Sequence, residues 1–241
     1  AAEIHGTKWE DLDGDGEQTV DTSNPESGPA GELGLSGWTI FLDLNGDGVL
    51  DDDELSTTTM EDDPDTDEDE SGQYWFTELT PGTYTVAEVI DDDTWIQSYP
   101  VEGTHTFELA SGDVITDIDF GNVISPEVHG IKWDDVNGDG IQDPGEPGLS
   151  GWTIYVDLNG NGEFDEGEPE TVTMIDDSKT ADVNEAGHYW LSGFLPGTYL
   201  IGEIQQLGRE QTWPNDANIN RHHLSLSAAE VAEDIDFGNK R

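Results

Sequence analysis

The sequence predicts an all-β protein that is built from two tandem β-sandwich domains. The chain repeats itself, and its short runs of alternating apolar and polar residues are separated by Gly, Pro, Asp and Asn turns about every ten positions. No run shows the 3.6-residue period of an amphipathic helix of ordinary length. The 241 residues are enough for two domains of common size.

The two copies align over almost their whole length. Matching segments are GLSGWTIFLDLNGDG (34–48) with GLSGWTIYVDLNGNG (148–162), LTPGTYTVAEV (79–89) with FLPGTYLIGEI (194–204), and DIDFGN at both 117–122 and 234–239. The eight tryptophans also pair, Trp9 with Trp133, Trp38 with Trp152, Trp75 with Trp190, and Trp95 with Trp213. We therefore predict domains 1–124 and 125–241, with the boundary in GNVISPEVHG.

The composition narrows the possible partners. The chain has 7 Lys plus Arg against 56 Asp plus Glu, a formal net charge of −49. Such a chain repels a phosphate backbone, so we expect no nucleic-acid partner, and it favours bound cations. It has no cysteine, and no apolar run approaches the length of a membrane span. The first residues, AAEIHG, are compatible with a mature secreted chain after cleavage at small residues.

The β-strands are predicted from a period of two. In GWTIFLDL, Trp38, Ile40 and Leu42 fall on one face, whereas Phe41 falls on the other face with its polar neighbours. Thr39 and Asp43 are the polar neighbours that share this second face with Phe41.

Four acidic loops have the ligand pattern of calcium sites. A loop of the EF-hand type needs side-chain oxygens at positions 1, 3, 5, 9 and 12, a backbone carbonyl at position 7, and Gly at position 6. Three loops match this pattern throughout. The predicted ligands are Asp43, Asn45, Asp47, Val49, Asp51 and Glu54; Asp135, Asn137, Asp139, Ile141, Asp143 and Glu146; and Asp157, Asn159, Asn161, Glu163, Asp165 and Glu168.

The loop that begins at Asp11 departs from the pattern after its first half. Asp11, Asp13, Asp15 and the carbonyl of Glu17 fit, but an insertion of about ten residues follows. Alignment of GELGLSGW with GEPGLSGW puts Glu32 at the closing position, and Asp21 is the other candidate. We expect about four calcium ions in all, bound as structural ions because strands rather than helices flank the loops.

The repeated motifs resemble those of a known family. The motifs G-x-K-W-x-D, N-G-D-G, G-E-P-G-L-S-G-W-T-I, G-x-Y-W, P-G-T-Y and D-F-G-N are similar to those of B-type domains of bacterial surface adhesins, of the collagen-adhesin and serine-aspartate-repeat kinds. The resemblance covers both halves of the chain. It implies a prealbumin-like, Greek-key sandwich and extracellular modules that are often loaded with calcium and that present or space other domains.

The resemblance also gives a meaning to two lysines of a chain that has only four. Some relatives of the collagen-adhesin kind join a first-strand Lys to a last-strand Asn by a spontaneous isopeptide bond, assisted by a Glu on a middle strand. The matching residues are Lys8, Glu88 and Asn122 in the first domain and Lys132, Glu203 and Asn239 in the second. Alternation along the strands directs all six toward a core, where isolated charges are costly. Two outcomes stay open, a covalent bond or a buried ion pair hydrogen-bonded to Asn.

The remaining candidates lie on outward positions of the strands. Trp75 and Trp190 alternate with inward residues, so they are predicted to be exposed and able to stack on sugar rings or a neighbouring subunit, or to be partly covered by a loop. His5 and His129, and the adjacent pair His222 and His223, have no spacing for a zinc site and are predicted to be surface residues.

Two classes of function follow. The first is an extracellular structural module of a stalk, surface layer or filament, made rigid by calcium and isopeptide bonds, with neighbouring domains or identical subunits as partners. The alternative is a cell-surface binding module that contacts glycan or matrix through its exposed tryptophans or loop tips. An enzyme is not expected, since the one activated chemistry in the sequence is internal and single-turnover.

Overall fold

The computed structural model describes residues 1–21, 30–66, 68–177, 179, 184–215 and 220–241. The chain divides into two compact units, Ala1–Ile124 and Ser125–Arg241, and the second begins where the sequence starts to repeat. Every regular element in the described ranges is a strand, so the predicted all-β class is confirmed. Within those ranges the chain has no helix of the length and apolar character that a bilayer span requires.

The first unit contains eleven of the described strands and two main sheets. The strands are β1 (Ala2–Glu10), β2 (Val20–Asp21), β3 (Ala30–Gly31), β4 (Thr39–Leu42), β5 (Ser56–Thr58), β6 (Gln73–Leu79), β7 (Gly82–Glu88), β8 (Trp95–Tyr99), β9 (His105–Leu109), β10 (Val114–Ile115) and β11 (Phe120–Ile124). One sheet has the order β10-β1-β11-β8, with β6 also paired to β1, and the other has the order β5-β4-β7-β9. β2 and β3 form a separate two-stranded ribbon.

The core of the first unit lies between its two main sheets. Ile4, Tyr74 and Phe120 from the five-stranded sheet pack in one buried cluster with Ile40 and Val86 from the four-stranded sheet. This contact between the inner faces of two sheets makes the unit a β-sandwich, as predicted from the alternating pattern.

The second unit repeats this arrangement. Its strands are β12 (Glu127–Asp134), β13 (Thr153–Asp157), β14 (Glu170–Val172), β15 (His188–Leu191), β16 (Gly197–Glu203), β17 (Glu210–Trp213), β18 (His222–Leu226), β19 (Val231–Ala232) and β20 (Phe237–Lys240). The sheets have the orders β15-β12-β20-β17, with β19 also paired to β12, and β14-β13-β16-β18. A buried cluster that includes Ile154, Ile201 and Phe237 again lies between them.

The first strand of each unit is central to its larger sheet. β1 pairs with β6 antiparallel on one side and with β10 and β11 parallel on the other. The chain that enters β11 passes close over β1 at Gly6, where a Cβ atom would lie 1.9 Å from the carbonyl oxygen of Ile118. Only glycine permits this approach, which explains the Gly that precedes the Lys in both HGxKW motifs.

The strand that contains Phe41 is buried on both sides. Phe41 is fully buried, as is Tyr155 at the same place in the second unit, where the ring of Phe164 packs on Tyr155. The predicted pairing of Trp95 with Trp213 was wrong.

The strand register shows the correct alignment for these tryptophans. Tyr99 pairs with the Gly of DFGN in the first unit, and Trp213 pairs with the same Gly in the second. Trp213 therefore corresponds to Tyr99, and Trp95 corresponds to Arg209. The sequence alignment paired Trp95 with Trp213 because both are tryptophans, although they lie at different positions in the strand register.

Candidate functional site

The first unit buries a Lys, a Glu and an Asn together between its sheets. Lys8 lies on β1, Asn122 on the parallel neighbour β11, and Glu88 at the end of β7 in the facing sheet. The Lys8 Nζ lies 3.1 Å from Glu88 Oε2, and the two side chains are 0% and 1% exposed. Asn122 is also 0% exposed. The structure therefore brings all three predicted residues to one dry site.

Burial changes the proton affinity of both charged groups at this site. Desolvation lowers the pKa of Lys8 to about 8, although Glu88 beside it acts in the opposite direction. Desolvation also raises the pKa of Glu88, against the opposing effects of Lys8 and Asn122. The amide of Asn122 is close enough to affect that pKa, but within the described chain neither amide atom has a partner with hydrogen-bond geometry.

The second unit contains the same arrangement with closer contacts. The Lys132 Nζ donates a hydrogen bond to Asn239 Oδ1 and lies 2.7 Å from Glu203 Oε2. Lys132 and Asn239 are fully buried. Burial lowers the pKa of Lys132 to about 8 and raises the pKa of Glu203. The amine and the carboxyl therefore meet in both units, and in the second unit the amine also contacts the carboxamide.

A tryptophan covers each buried lysine, a contact that the sequence pattern does not predict. The Lys8 Nζ lies 4.5 Å from the centre of the Trp38 ring, and the Lys132 Nζ lies 4.4 Å from that of Trp152. A ring face attracts a cation and excludes water from it. The repeated SGWTI motif contained this signal, but alternation placed its Trp only on an inner face.

The acidic loops are compact turns that the first aspartate of each loop organises. Asp43 accepts hydrogen bonds from the N–H groups of Gly46 at 2.6 Å and Gly48 at 2.9 Å, and both glycines have positive φ. Asp11 and Asp135 accept the corresponding bonds, whereas Asp157 accepts from Asn161 and Gly162. These four aspartates are buried, so each loop is fixed to its sandwich at position 1.

The middle positions of the loops form regular turns. The side chain at position 5 accepts the N–H of position 7, in the pairs Asp15–Glu17, Asp47–Val49, Asp139–Ile141 and Asn161–Glu163. The amide of the position-3 asparagine donates to the position-9 aspartate, in the pairs Asn45–Asp51, Asn137–Asp143 and Asn159–Asp165. The side chains at positions 3 and 9 therefore lie together in these three loops.

The closing glutamates also have a common geometry. In the three regular loops, one oxygen of Glu54, Glu146 or Glu168 accepts the N–H of position 2, and the other accepts the N–H of position 9. Glu32 accepts from Leu12 at 2.9 Å and from Thr19 at 2.7 Å. Because Thr19 is position 9 of its loop, the insertion falls between positions 9 and 12. The side chain of Asp21, the other candidate, lies outside the described residues.

The first loop brings three carboxylates closest together. Oxygens of Asp11, Asp13 and Asp15 lie within 4.8 Å of one another. Burial acts to raise the pKa of Asp11, but hydrogen bonds from Ser98, Gly16 and Gly14 outweigh it and the pKa is lowered. This carboxyl is therefore ionised and available to a cation over a wide pH range.

The two outward tryptophans are exposed, but not all of the histidines are. Trp75 is 44% and Trp190 is 50% exposed. His129, expected at the surface, is mostly buried, because Glu127 lies 2.8 Å from its Nε2 and Glu233 lies 3.3 Å from its Nδ1.

The expectation was also wrong for His222. Its Nε2 lies 2.7 Å from the carbonyl oxygen of Asp236, and desolvation lowers its pKa. His223, the next residue, is exposed, as expected of side chains that alternate along a strand.

No family model matches the chain, but curated proteins are similar to it. Serine-aspartate repeat-containing protein F of Staphylococcus epidermidis is 30% identical over 189 residues, which are 67% of this chain and 10% of that protein. Serine-aspartate repeat-containing protein D of Staphylococcus aureus (strain Newman) is 28% identical over 206 residues, which are 80% of this chain and 12% of that protein. The chain spans about a tenth of the length of these relatives.

Solved structures with low similarity include two pilins. The minor pilin GBS52 of Streptococcus agalactiae has 15% sequence identity and a TM-score of 0.37, with 100% of this chain and 96% of that chain covered. The shaft pilin SpaA of Lactobacillus rhamnosus GG has 13% identity and a TM-score of 0.31, with 99% and 96% covered.

The fold and the repeated site define a class, a tandem of two β-sandwich modules that have the same buried Lys, Glu and Asn and the same acidic loops. The curated relatives narrow this class. The chain is related to the serine-aspartate repeat-containing proteins of staphylococci, and the resemblance to tandem B-type domains is confirmed. Those relatives are proteins of the cell-wall surface, so the predicted cell-surface location is confirmed too.

Proposed function

We propose that this chain is an extracellular structural module that calcium ions and two internal Lys–Asn isopeptide bonds make rigid. The proposal depends above all on one observation, that each unit buries a Lys, a Glu and an Asn at one site, with the lysine Nζ 3.1 Å from the glutamate in the first unit and 2.7 Å from it in the second. Relatives at the cell-wall surface favour a structural role over an enzymatic one. Neighbouring domains or identical subunits are the partners that such a module requires.

The energetics of the buried site favour a bond over an ion pair. Removing two ions from water costs several kcal/mol for each, and the cost is recovered only when all their hydrogen-bonding atoms have partners. In the first unit, the described structure leaves Lys8, Glu88 and Asn122 without aligned hydrogen bonds. An amide between Lys8 and Asn122 would remove both the ammonium charge and the need to solvate it.

The chemistry is an acyl transfer from one amide to another. A Lys8 amine with a pKa of about 8 is partly neutral near neutral pH, and Glu88, whose pKa is raised, can be protonated. The neutral Nζ attacks the side-chain carbonyl carbon of Asn122 while Glu88 donates a hydrogen bond to its oxygen. The new C–N bond forms, the bond to Nδ2 breaks, and Glu88 transfers the lysine proton to the departing ammonia.

The position of the bond suits a protein that transmits force. Lys8 lies on the first strand of its unit and Asn122 on the last long strand, and these strands are adjacent and parallel. A cross-link between them closes a loop of about 100 residues, worth about 4 to 5 kcal/mol by analogy with a disulfide. Tension that reaches both strands would pass through the bond instead of separating them.

The acidic loops have the donor set that calcium prefers. The predicted ligands are carboxylate, amide and backbone oxygens, and calcium binds six to eight such oxygens. Asp43, Asn45, Asp47, Asp51 and Glu54 would hold one ion, and the corresponding residues of the other loops would hold the rest, with Glu32 closing the first. The bound ion would neutralise carboxylates that otherwise repel one another.

The intact mass of the folded protein tests the bond. Each bond expels one ammonia, so the protein should weigh about 17 Da less per bond and about 34 Da less in all. Mass spectrometry under denaturing conditions measures this loss directly. A mass equal to that of the sequence would leave only the buried ion pair and would remove the covalent part of the proposal.

A groove beside Trp190 favours a second candidate function, the binding of a neutral glycan. The groove measures about 610 Å³, and His129, His188, Trp190 and Glu233 are among the residues that line it. A half-exposed Trp can stack on a sugar ring. The hydroxyl groups of that sugar can donate hydrogen bonds to nearby carboxylates. Binding of neutral glycans on an array, lost in Trp190→Ala and kept in Trp75→Ala, would support this function.

A further inference from the structure

Two acidic loops hold equivalent places in the two units but differ in charge. Loop 43–54 follows β4 and loop 157–168 follows β13. At position 5 the first loop has Asp47 and the second has Asn161, so the second loop has one carboxylate fewer among its predicted ligands. Since the number of charged ligands tunes the response of such loops to calcium, the two loops should not respond alike.

An arginine is attached to loop 157–168. The Arg221 Nη2 donates hydrogen bonds to the carbonyl oxygen of Gly162 and, at 3.2 Å, to the hydroxyl of Tyr155. Gly162 is position 6 of the loop, whereas calcium takes the carbonyl of position 7. The arginine therefore holds the loop backbone without occupying a ligand that calcium needs.

The first unit has a threonine in the place of this arginine. Val86 pairs with His105, and Ile201 pairs with His222, so the residues just before these histidines, Thr104 and Arg221, correspond. A threonine side chain carries no charge and is too short to repeat the contact of the guanidinium. Loop 43–54, which has no such arginine, can therefore be compared with loop 157–168 in the same chain.

Two further contacts favour a closed loop in the second unit. The ring of Phe164, within the loop, packs edge-on against Tyr155 at a centroid distance of 5.4 Å. Asp165 accepts hydrogen bonds at 2.7 Å from the amides of both Asn159 and Asn161. In loop 43–54 the amide of Asn45 is instead shared between two carboxylates. Amide groups within loop 157–168 thus bind a carboxylate that would otherwise bind a calcium ion.

We infer that Arg221 is an internal cation that holds loop 157–168 in its closed shape without calcium, so that this loop stays ordered at calcium levels at which loop 43–54 opens. The inference rests on the proposed calcium function of the loops. A fixed positive charge at the loop backbone offsets the repulsion among Asp157, Asp165 and Glu168. Calcium then adds little further order to this loop.

Hydrogen–deuterium exchange of the full chain, in chelator and in millimolar calcium, tests the inference. In chelator the amides of 157–168 should be protected about tenfold more than those of 43–54, the effect expected of one charge-assisted hydrogen bond. In Arg221→Thr, protection of 157–168 should fall about tenfold in chelator and change little in calcium. Thr104→Ala, the matched control in the first unit, should leave 157–168 unchanged.

Three outcomes would overturn the inference. Equal protection of the two loops in chelator would show that the arginine has no special effect. If Arg221→Thr lowered the exchange protection of 157–168 equally in chelator and in calcium, Arg221 would have only an ordinary packing role. If calcium protected neither loop in the unaltered chain, the calcium proposal itself would fail and the inference with it, whereas calcium protection of 43–54 alone would leave both standing.

Discussion

Lys8 and Asn122 lie diagonally across two parallel strands, on the same inner face of one sheet. In the ladder of β1 and β11, Lys8 pairs with Phe120, and Asn122 follows two residues later, where it pairs with Glu10. Because side chains two residues apart on a strand point to the same face, Asn122 lies on the side of Lys8. Parallel pairing of the first and last strands therefore places the lysine and the asparagine as neighbours on one inner face.

The third member of this site comes from the opposite sheet. Glu88 pairs with Ile40 in the four-stranded sheet, and its carboxyl reaches across the core to Lys8. A carboxyl that stands in the facing sheet can approach the amine and the carboxamide at once without belonging to either strand. Removing it should therefore affect the reaction more than the strand pairing.

The first prediction concerns the two buried glutamates. Glu88→Gln should leave the first unit folded but prevent its bond, because an amide cannot carry protons from the lysine to the departing ammonia. The intact mass, corrected for the substitution, should rise by about 17 Da. Glu203→Gln should do the same in the second unit, and the double variant should have the mass of its sequence.

Glu108 provides the control for this series. It lies on β9 of the same sheet with an exposed side chain, so Glu108→Gln should keep both bonds. The proposed role of the buried carboxyls would be wrong if Glu88→Gln and Glu108→Gln gave equal mass losses. Circular dichroism of each variant shows whether its strands are intact.

The second prediction is a pH dependence that appears only when the bonds cannot form. In the double variant Asn122→Ala and Asn239→Ala, each buried lysine keeps its amine with a pKa of about 8, against 10.5 in the unfolded chain. Between these values the unfolded chain binds more protons, so the free energy of unfolding should rise with pH from 8 upward. For each buried lysine, the free energy of unfolding should rise by about 1 kcal/mol per pH unit.

Other groups limit the window of this measurement. The raised pKa of Tyr74 makes stability fall as pH rises above about 10, so denaturant titrations between pH 8 and 10 avoid this tyrosine. The raised pKa of Glu88 makes stability fall as pH rises from 4.5 upward, which is opposite in sign to the effect of the lysines. A bonded lysine has no amine to titrate, so parallel pH profiles for the double variant and the unaltered chain would contradict the prediction.

Much of the fold follows directly from the sequence. The repeat indicated the domain boundary, and alternation placed Lys8, Glu88 and Asn122 on inner faces, where the structure buries them. These features are local, because a strand that has one dry face must alternate along its own length. Alternation does not separate a dry face from a wet face at Phe41, which is buried as fully as its neighbour Ile40.

Other features depend on contacts between distant residues and could not be predicted. That Trp38 covers Lys8 depends on how two sheets face each other. The hydrogen bond from Arg221 to the carbonyl oxygen of Gly162, in loop 157–168, joins residues that are 59 positions apart in the chain. The structure places Glu32 at position 12 of the first loop through the hydrogen bonds that it accepts from Leu12 and Thr19. The spacing of the ligands in the sequence does not show this position, because the insertion changes that spacing.

The third prediction is a calcium dependence of thermal stability. An ion that binds only the folded chain stabilises it by mass action, so chelation should lower the melting temperature. Asp43→Ala should remove one ion and reduce the shift between chelator and millimolar calcium, because Asp43 anchors its loop through Gly46 and Gly48. Differential scanning calorimetry with metal analysis by mass spectrometry measures both effects.

An acidic residue outside the loops gives the control for charge alone. Asp62 is exposed in the acidic run 61–70, so Asp62→Ala removes the same charge but no predicted ligand. Its calcium shift should equal that of the unaltered chain. If melting temperatures in chelator and in calcium were the same for all three proteins, the assignment of calcium to these loops would be wrong.

The last prediction concerns the charge that calcium does not neutralise. About four bound ions would cancel only a small part of the net charge of −49. The rest repels itself across each unit, and this repulsion destabilises the compact state more than the expanded one. At saturating calcium, the free energy of unfolding should therefore rise as sodium chloride is increased from low concentration to 1 M, where the Debye length falls to about 3 Å. Replacing Glu61, Asp62 and Glu68 by their amides should reduce this dependence on salt. A free energy of unfolding that stays flat across this range, or an equal slope in the triple variant, would mean that the acidic surface is already solvated well enough to cost the fold nothing.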